Sequence, residues 1–154
     1  MLVYTNILVP LDTGPESDAA LPHARAVAEA FGSRVTLLLV AEAANVTVAA
    51  LAESFGAGGS VAAAIERENT LEAVGMAYLS NVRESEGLDG WDLLVVEGSP
   101  GAAIVEVLRD GTFDLVVMAS HARRGLGLLL HGSVADHVVR HGRVPTLVIA
   151  ADED

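Results

Sequence analysis

The residues from Val116 to Ser133 combine types and spacings that suit the binding of an anion. They read Val-Val-Met-Ala-Ser-His-Ala-Arg-Arg-Gly-Leu-Gly-Leu-Leu-Leu-His-Gly-Ser. An apolar strand ends in small residues, an arginine-bearing loop follows, and Gly-Ser opens a helix. A helix start offers unpaired backbone N–H groups, and small residues let a ligand approach the main chain. Between Ser120 and Arg143 the chain carries Arg123, Arg124, Arg140 and Arg143 against Asp136 alone, a local +3 on a chain of net −12. A basic island on an acidic protein suits a local phosphate-type ligand.

Other chemistries have thinner support. His137 and His141 stand four apart on one helix face, a spacing that suits zinc, but there is no cysteine and no evident third ligand. No metal site is expected. Ser120 and His121, with Asp12 to orient the imidazole, invite a hydrolase reading, yet sequence neighbours rarely present catalytic geometry to one another. No catalytic residue is assigned. Asp12 suits either a turn or a ligand contact, and Arg123 and Arg124 suit either solvent or phosphate. Ser133 suits a helix cap or a phosphate contact, which share one geometry. All nine basic residues are arginine, so the phosphate-binding lysine of a P-loop is missing.

The totals narrow the class. A chain of 154 residues predicts a single domain over 1–154 with a substantial core, and with 51% apolar but only 4% aromatic residues that core must be aliphatic. The −12 charge argues against nucleic acid as a partner, since phosphate backbones are neutralised by Lys and Arg. No apolar run approaches the roughly 20 residues of a membrane span. The first residues enter an apolar run with no basic region or small-residue cleavage site, which predicts a cytoplasmic protein.

Five continuous apolar runs must position these groups: Tyr4 to Pro10, Arg34 to Val40, Trp91 to Val96, Leu115 to Met118 and Pro145 to Ile149. They lack in-out alternation, the mark of strands buried on both faces of a parallel sheet. Helical stretches separate them: Glu16 to Phe31 with a kink at Pro22, Val61 to Glu86, Gly101 to Asp110, and Ser133 to His141 closed by Gly142. The Ala-, Gly- and Ser-rich range 43–60 reads as a mobile connection, with a short helical piece around Ala49 to Phe55. Alternating strands and helices with right-handed crossovers predict an α/β, doubly wound five-stranded parallel sheet, three-layered α/β/α. Ligands of such sheets sit beyond the strands' carboxyl ends, where the winding reverses. Pro10, Leu11, Asp12, Val40 and Ala119 to Arg124 would meet there if the first and fourth strands are neighbours.

The assembled residues resemble the universal stress proteins of the UspA type, over almost the whole chain. Ile7-Leu8-Val9-Pro10-Leu11-Asp12 is similar to the family's first strand and acidic turn, and Ala20-Leu21-Pro22 to its first helix. Glu97-Gly98-Ser99-Pro100 fits the turn after the third strand. Asp114 to Ser120, Gly132-Ser133-Val134-Ala135 and Val144-Pro145-Thr146-Leu147-Val148-Ile149 fit the remaining signature. ATP-binding members carry Gly, two residues, Gly, nine residues, then Gly-Ser or Gly-Thr. Here Gly132-Ser133 match after the nine residues Arg123 to His131, but the earlier glycines fall on Ala119 and Ala122.

The resemblance implies a Rossmann-like fold of the adenine nucleotide alpha hydrolase-like type and a stress-response signalling module that binds ATP, with Mg²⁺. Pro10, Leu11, Asp12 and Val40 would hold the adenosine, and Ala119, Ser120, His121, Ala122, Arg123, Arg124 and Gly125 would wrap the phosphates. Gly132, Ser133, Val134 and Ala135 would supply donors at the helix start. No base is aimed at a water, so the resemblance implies no enzyme, or at most slow ATP hydrolysis. It also implies a homodimer through the last strand, Val144 to Ile149. The alternative is a dimer that binds no nucleotide and acts on a regulatory protein partner.

Overall fold

The computed structural model describes residues 3–42, 71–121 and 133–151. Its elements are β1 (Asn6–Leu11), a 3-10 turn (Pro15–Ala19), α1 (Ala20–Phe31), β2 (Arg34–Ala41), α2 (Leu71–Ser85), β3 (Asp92–Glu97), α3 (Pro100–Leu108), β4 (Leu115–His121), α4 (Ser133–His141) and β5 (Thr146–Ala151). The expected connection at 43–60, its short helical piece and the expected helix residues 61–70 lie outside the described residues. So do Ala122 to Gly132.

All five strands are parallel, in the order β3-β2-β1-β4-β5. The chain therefore winds outward from β1 to β3, returns across the sheet, and winds the other way through β4 and β5. The first and fourth strands are neighbours, with Ile7 opposite Leu115 and Leu8 opposite Val116. The winding reverses between them.

Strand residues alternate between two aliphatic cores, because successive Cβ atoms point to opposite faces. Ile7, Val9, Leu11, Leu37, Leu39 and Val117 pack with α1 and α2. Leu8, Leu38, Val116 and Met118 pack with Ile104 and Leu108 of α3 and Ala135 and Val138 of α4. Ile7, Leu8 and Val9 are fully buried, which is why β1 shows no polar alternation.

One boundary expectation is corrected. The run from Glu16 does not form one helix kinked at Pro22; it divides into the 3-10 turn and α1, which places Pro22 in the first turn of α1. There a proline lacks only an N–H that the helix would not have used. Helix α4 spans Ser133–His141 with Gly142 next, as expected, and the left-handed residue beyond it is Arg143, with φ of 55°. Gly142 answers a packing need instead, since a Cβ on it would lie 2.6 Å from the carbonyl oxygen of Val138.

Candidate functional site

A cavity of about 430 Å³ opens at the carboxyl ends of β1, β2 and β4, where the winding reverses. Its volume lies in the roughly 300–1,000 Å³ range of small-molecule sites. One wall is apolar: Pro10 of β1, Val40 of β2, Pro100 and Ile104 of α3, Met118 of β4 and Val134 of α4. The rest of the lining is Leu11, Asp12, Thr13, Gly14, Ser17, Leu39, Glu42 and Ala119.

The turn after β1 is held by its own polar groups. The backbone N–H of Gly14 donates to Asp12 Oδ1 at 2.7 Å, closing an Asx turn. Ser17, only 5% exposed, places its hydroxyl 3.0 Å from the carbonyl oxygens of both Asp12 and Gly14. Tyr78 of α2 reaches across to donate its hydroxyl to the Asp12 carbonyl at 2.8 Å. Burial, aided by the charges of Asp18 and Asp12, pushes the Tyr78 phenol well above its usual range, so it remains a donor. A Cβ at Gly14 would sit 3.0 Å from Asp12 Oδ1 and from Glu16 Oε2, so any larger residue would push these two carboxylates aside.

The turn after β3 delivers α3 to the same place. Gly98 adopts φ of 145°, a conformation open to glycine, and donates its N–H to the Ala41 carbonyl at 3.1 Å. That bond folds the chain back over the end of β2, so α3 starts at the cavity with Pro100.

Several expected site residues converge on the cavity: Pro10, Leu11, Asp12, Val40, Ala119 and Val134 all line it. Ala119 lies in β4 opposite Ile149 and has no positive φ. The methyl replacing the family glycine therefore brings no backbone strain there; only its bulk enters the cavity.

Two expected residues place their side chains away from the lining. Ser120 is 2% exposed and absent from the lining, because on a strand it points to the face opposite Ala119. Its hydroxyl has no hydrogen-bond partner among the described residues. Ala135 is 1% exposed and packs its methyl into the core under α3 and α4, which leaves the expectation of a backbone N–H donor at the helix start untouched. His121 ends β4 and Ser133 begins α4. Ala122, Arg123, Arg124, Gly125 and Gly132 lie outside the described residues, so the described lining carries the carboxylates of Asp12 and Glu42 but no cationic side chain.

Ile104, Met118, Pro100, Ser17 and Glu42 were not foreseen as lining. Pro100 and Gly98 had a signal in the Gly-Ser-Pro-Gly turn. Ile104 and Met118 had none, because each reads as an ordinary core residue. The rings of His137 and His141 stand 4.6 Å apart, and no group of three or more metal-ligating side chains occurs among the described residues.

Fold and crevice together define a doubly wound α/β domain with a ligand-sized cavity at its winding reversal, and comparison with known proteins gives the family. The model of the universal stress protein family matches residues 3–150, and this chain belongs to that family. The universal stress protein MJ0577 of Methanocaldococcus jannaschii is 29% identical over 156 residues, covering 96% of each chain. A solved structure of MJ0577 superposes with a TM-score of 0.68 at 24% identity, covering 99% of this chain and 100% of that one. A universal stress protein in complex with cAMP has a TM-score of 0.63 at 18% identity, covering 98% of this chain and 100% of that one. The Arabidopsis thaliana family protein At3g01520 with AMP bound has a TM-score of 0.60 at 17% identity, covering 97% of this chain and 94% of that one. These likenesses show a common Rossmann-like fold. No helix among the described residues is long and apolar enough to cross a membrane.

Proposed function

We propose that this protein is a single-domain adenine-nucleotide-binding signalling module of the stress response, working in the cytoplasm, and not an enzyme. The observation that carries this reading is the cavity at the β1–β4 reversal, with an apolar wall suited to a flat base facing a polar turn built around Asp12. Two proteins of like fold bind cAMP and AMP, which supports the same ligand class here. The base would lie against Val40, Ile104 and Met118, with Pro10, Leu11 and Asp12 about the sugar. Phosphates would extend toward the start of α4, where Ser133 and Val134 bring N–H groups, and toward His121, Ala122, Arg123, Arg124 and Gly125.

The acidic described lining bears on the form of the ligand. ATP carries several charges past Asp12 and Glu42, so Mg²⁺ or the loop arginines must offset them. Titrating the purified protein with ATP, with and without Mg²⁺, and with AMP by calorimetry tests the reading. Absence of heat at millimolar concentrations of all three would end it.

A second reading, a family member that binds no nucleotide and acts through protein contacts, is favoured by one observation. The Ala119 methyl occupies part of the cavity wall. It predicts no thermal shift with any adenine nucleotide. Under either reading the protein is a homodimer through β5. That strand is the sheet edge, and Leu147 on it is 38% exposed. Sedimentation of the protein and of Leu147→Glu tests this, with a monomer expected only for the variant.

A further inference from the structure

We infer that Tyr78 is a positioning residue for the crevice and that, through it, occupancy of the crevice is felt along helix α2. The inference rests on the crevice being the ligand site proposed above. No residue of α2 lines the cavity, yet α2 touches two of the elements that do.

The first contact is polar. Two hydroxyls meet one carbonyl: Tyr78 Oη at 2.8 Å and Ser17 Oγ at 3.0 Å from the oxygen of Asp12. The single proton of Ser17 is shared between the carbonyls of Asp12 and Gly14, so the Tyr78 hydroxyl secures the pairing of the Asp12 carbonyl and fixes its direction. It holds the peptide plane between Asp12 and Thr13, both of which face the cavity. Asp12 Oδ1 in turn accepts from the N–H of Gly14, so the carboxylate and the plane cannot turn independently. Tyr78 is only 7% exposed, and burial keeps its phenol protonated.

The second contact is apolar. Leu39 lines the cavity, and its Cδ2 lies 3.2 Å from where a Cβ on Gly75 would stand. Val95 of β3 stands nearer still, at 2.9 Å, so the backbone of α2 packs closely against the sheet here, this wall residue included. Gly75 and Tyr78 are three residues apart and share a helix face. One face of α2 thus meets both the β1 turn and the end of β2. A ligand that orders Asp12 and Leu39 orders α2 as well, and α2 carries that response to the protein surface.

Tyr78→Phe keeps the ring and removes the hydroxyl. AMP binding by calorimetry, the melting temperature of the free protein, and amide hydrogen exchange over residues 71–85 with and without saturating AMP are measured for both proteins. The native protein is expected to bind AMP and to slow exchange along α2 when saturated. The Phe variant is expected to bind about fivefold more weakly, the equivalent of one net hydrogen bond. Its melting temperature should stay within about 4 °C of the native value, and AMP should no longer slow α2. Ser17→Ala, which removes the other donor, should weaken AMP binding yet leave the α2 response in place. Native-like binding by Tyr78→Phe, or equal slowing of α2 in it, overturns the inference and leaves the ligand reading standing. Unchanged α2 exchange in the AMP-saturated native protein overturns it without recourse to a variant. Absence of AMP binding by the native protein removes the ligand reading and this inference together.

Discussion

Asp114, at the head of β4, accepts from both the backbone N–H and the hydroxyl of Thr5, at 2.8 and 2.7 Å, just before β1 begins. Its other oxygen accepts the N–H of Asn6 at 3.1 Å, and its own N–H donates to the Asn6 carbonyl at 3.0 Å. The central strands are thus tied at the end opposite the crevice, where only two register pairs join them directly.

Removal of this clamp should loosen the sheet centre. Asp114→Ala is expected to lower stability by about 1–2 kcal/mol, the range for charged hydrogen bonds reduced for solvent screening. Partial burial alone would raise the carboxyl's pKa, but the bonds from Thr5 and Asn6 outweigh it and hold the pKa below its ordinary value of 3.8. The contribution is therefore complete above the unfolded value and lost as pH falls through the lower folded one. Urea melts of both proteins at pH 7 and near pH 3 check this; the difference should shrink in acid.

Asp18 behaves in the opposite sense. Its Oδ1 is buried without a hydrogen-bond partner among the described residues, and burial, then Glu86 and Asp12, raise its pKa above 3.8. A raised folded value gives stability below the unfolded pKa that is lost as pH climbs through the folded one. Asp18→Asn should therefore stabilise the protein at pH 7, on the order of 0.5 kcal/mol after allowance for screening, and by less near pH 4. A destabilised Asn variant at pH 7 would contradict this.

Filling the crevice should separate binding from folding. Val40 lines the cavity at the end of β2 and is only partly buried. Val40→Trp is expected to weaken AMP and ATP binding by about a hundredfold, as when a base is displaced from an apolar wall. Circular dichroism and melting should stay close to native, since the added ring enters empty space.

Ala119→Gly tests what the family departure does. With no positive φ to relieve, the glycine cannot gain stability; it should lose about 0.5–1 kcal/mol as a flexible residue within a strand. If the methyl crowds the ligand, nucleotide affinity rises, by up to about tenfold for the removal of one tight contact. Unchanged affinity would show that the methyl stands clear.

Arg143→Gly should stabilise the end of α4 by about 1 kcal/mol, because a left-handed conformation costs about that much for a side chain bearing a Cβ. Gly142→Ala should do the reverse, by about 2 kcal/mol as for an overpacked site, since its Cβ would press on the Val138 carbonyl. Thermal melts of the two single variants check both signs.

The strands were legible because burial on two faces erases polar alternation, as in Ile7-Leu8-Val9. The turns at Asp12 and Gly98 announced themselves through residue types that favour turns. These are local properties: periodicity and backbone preference act over a few residues, so the chain's order of residues determined them. What brings β1 beside β4, and so makes a crevice at all, is pairing between residues more than a hundred positions apart, which no local pattern encodes. The same holds for Tyr78, whose hydroxyl finds the Asp12 carbonyl only once α2 has settled on the sheet, and for Ile104, a core residue by type that the fold turns toward the cavity. At Gly142 and Arg143, preference and outcome part company. The glycine was placed by a steric limit from Val138, and its neighbour took the strained backbone. Sequence determined the elements, and tertiary packing decided which of their residues meet.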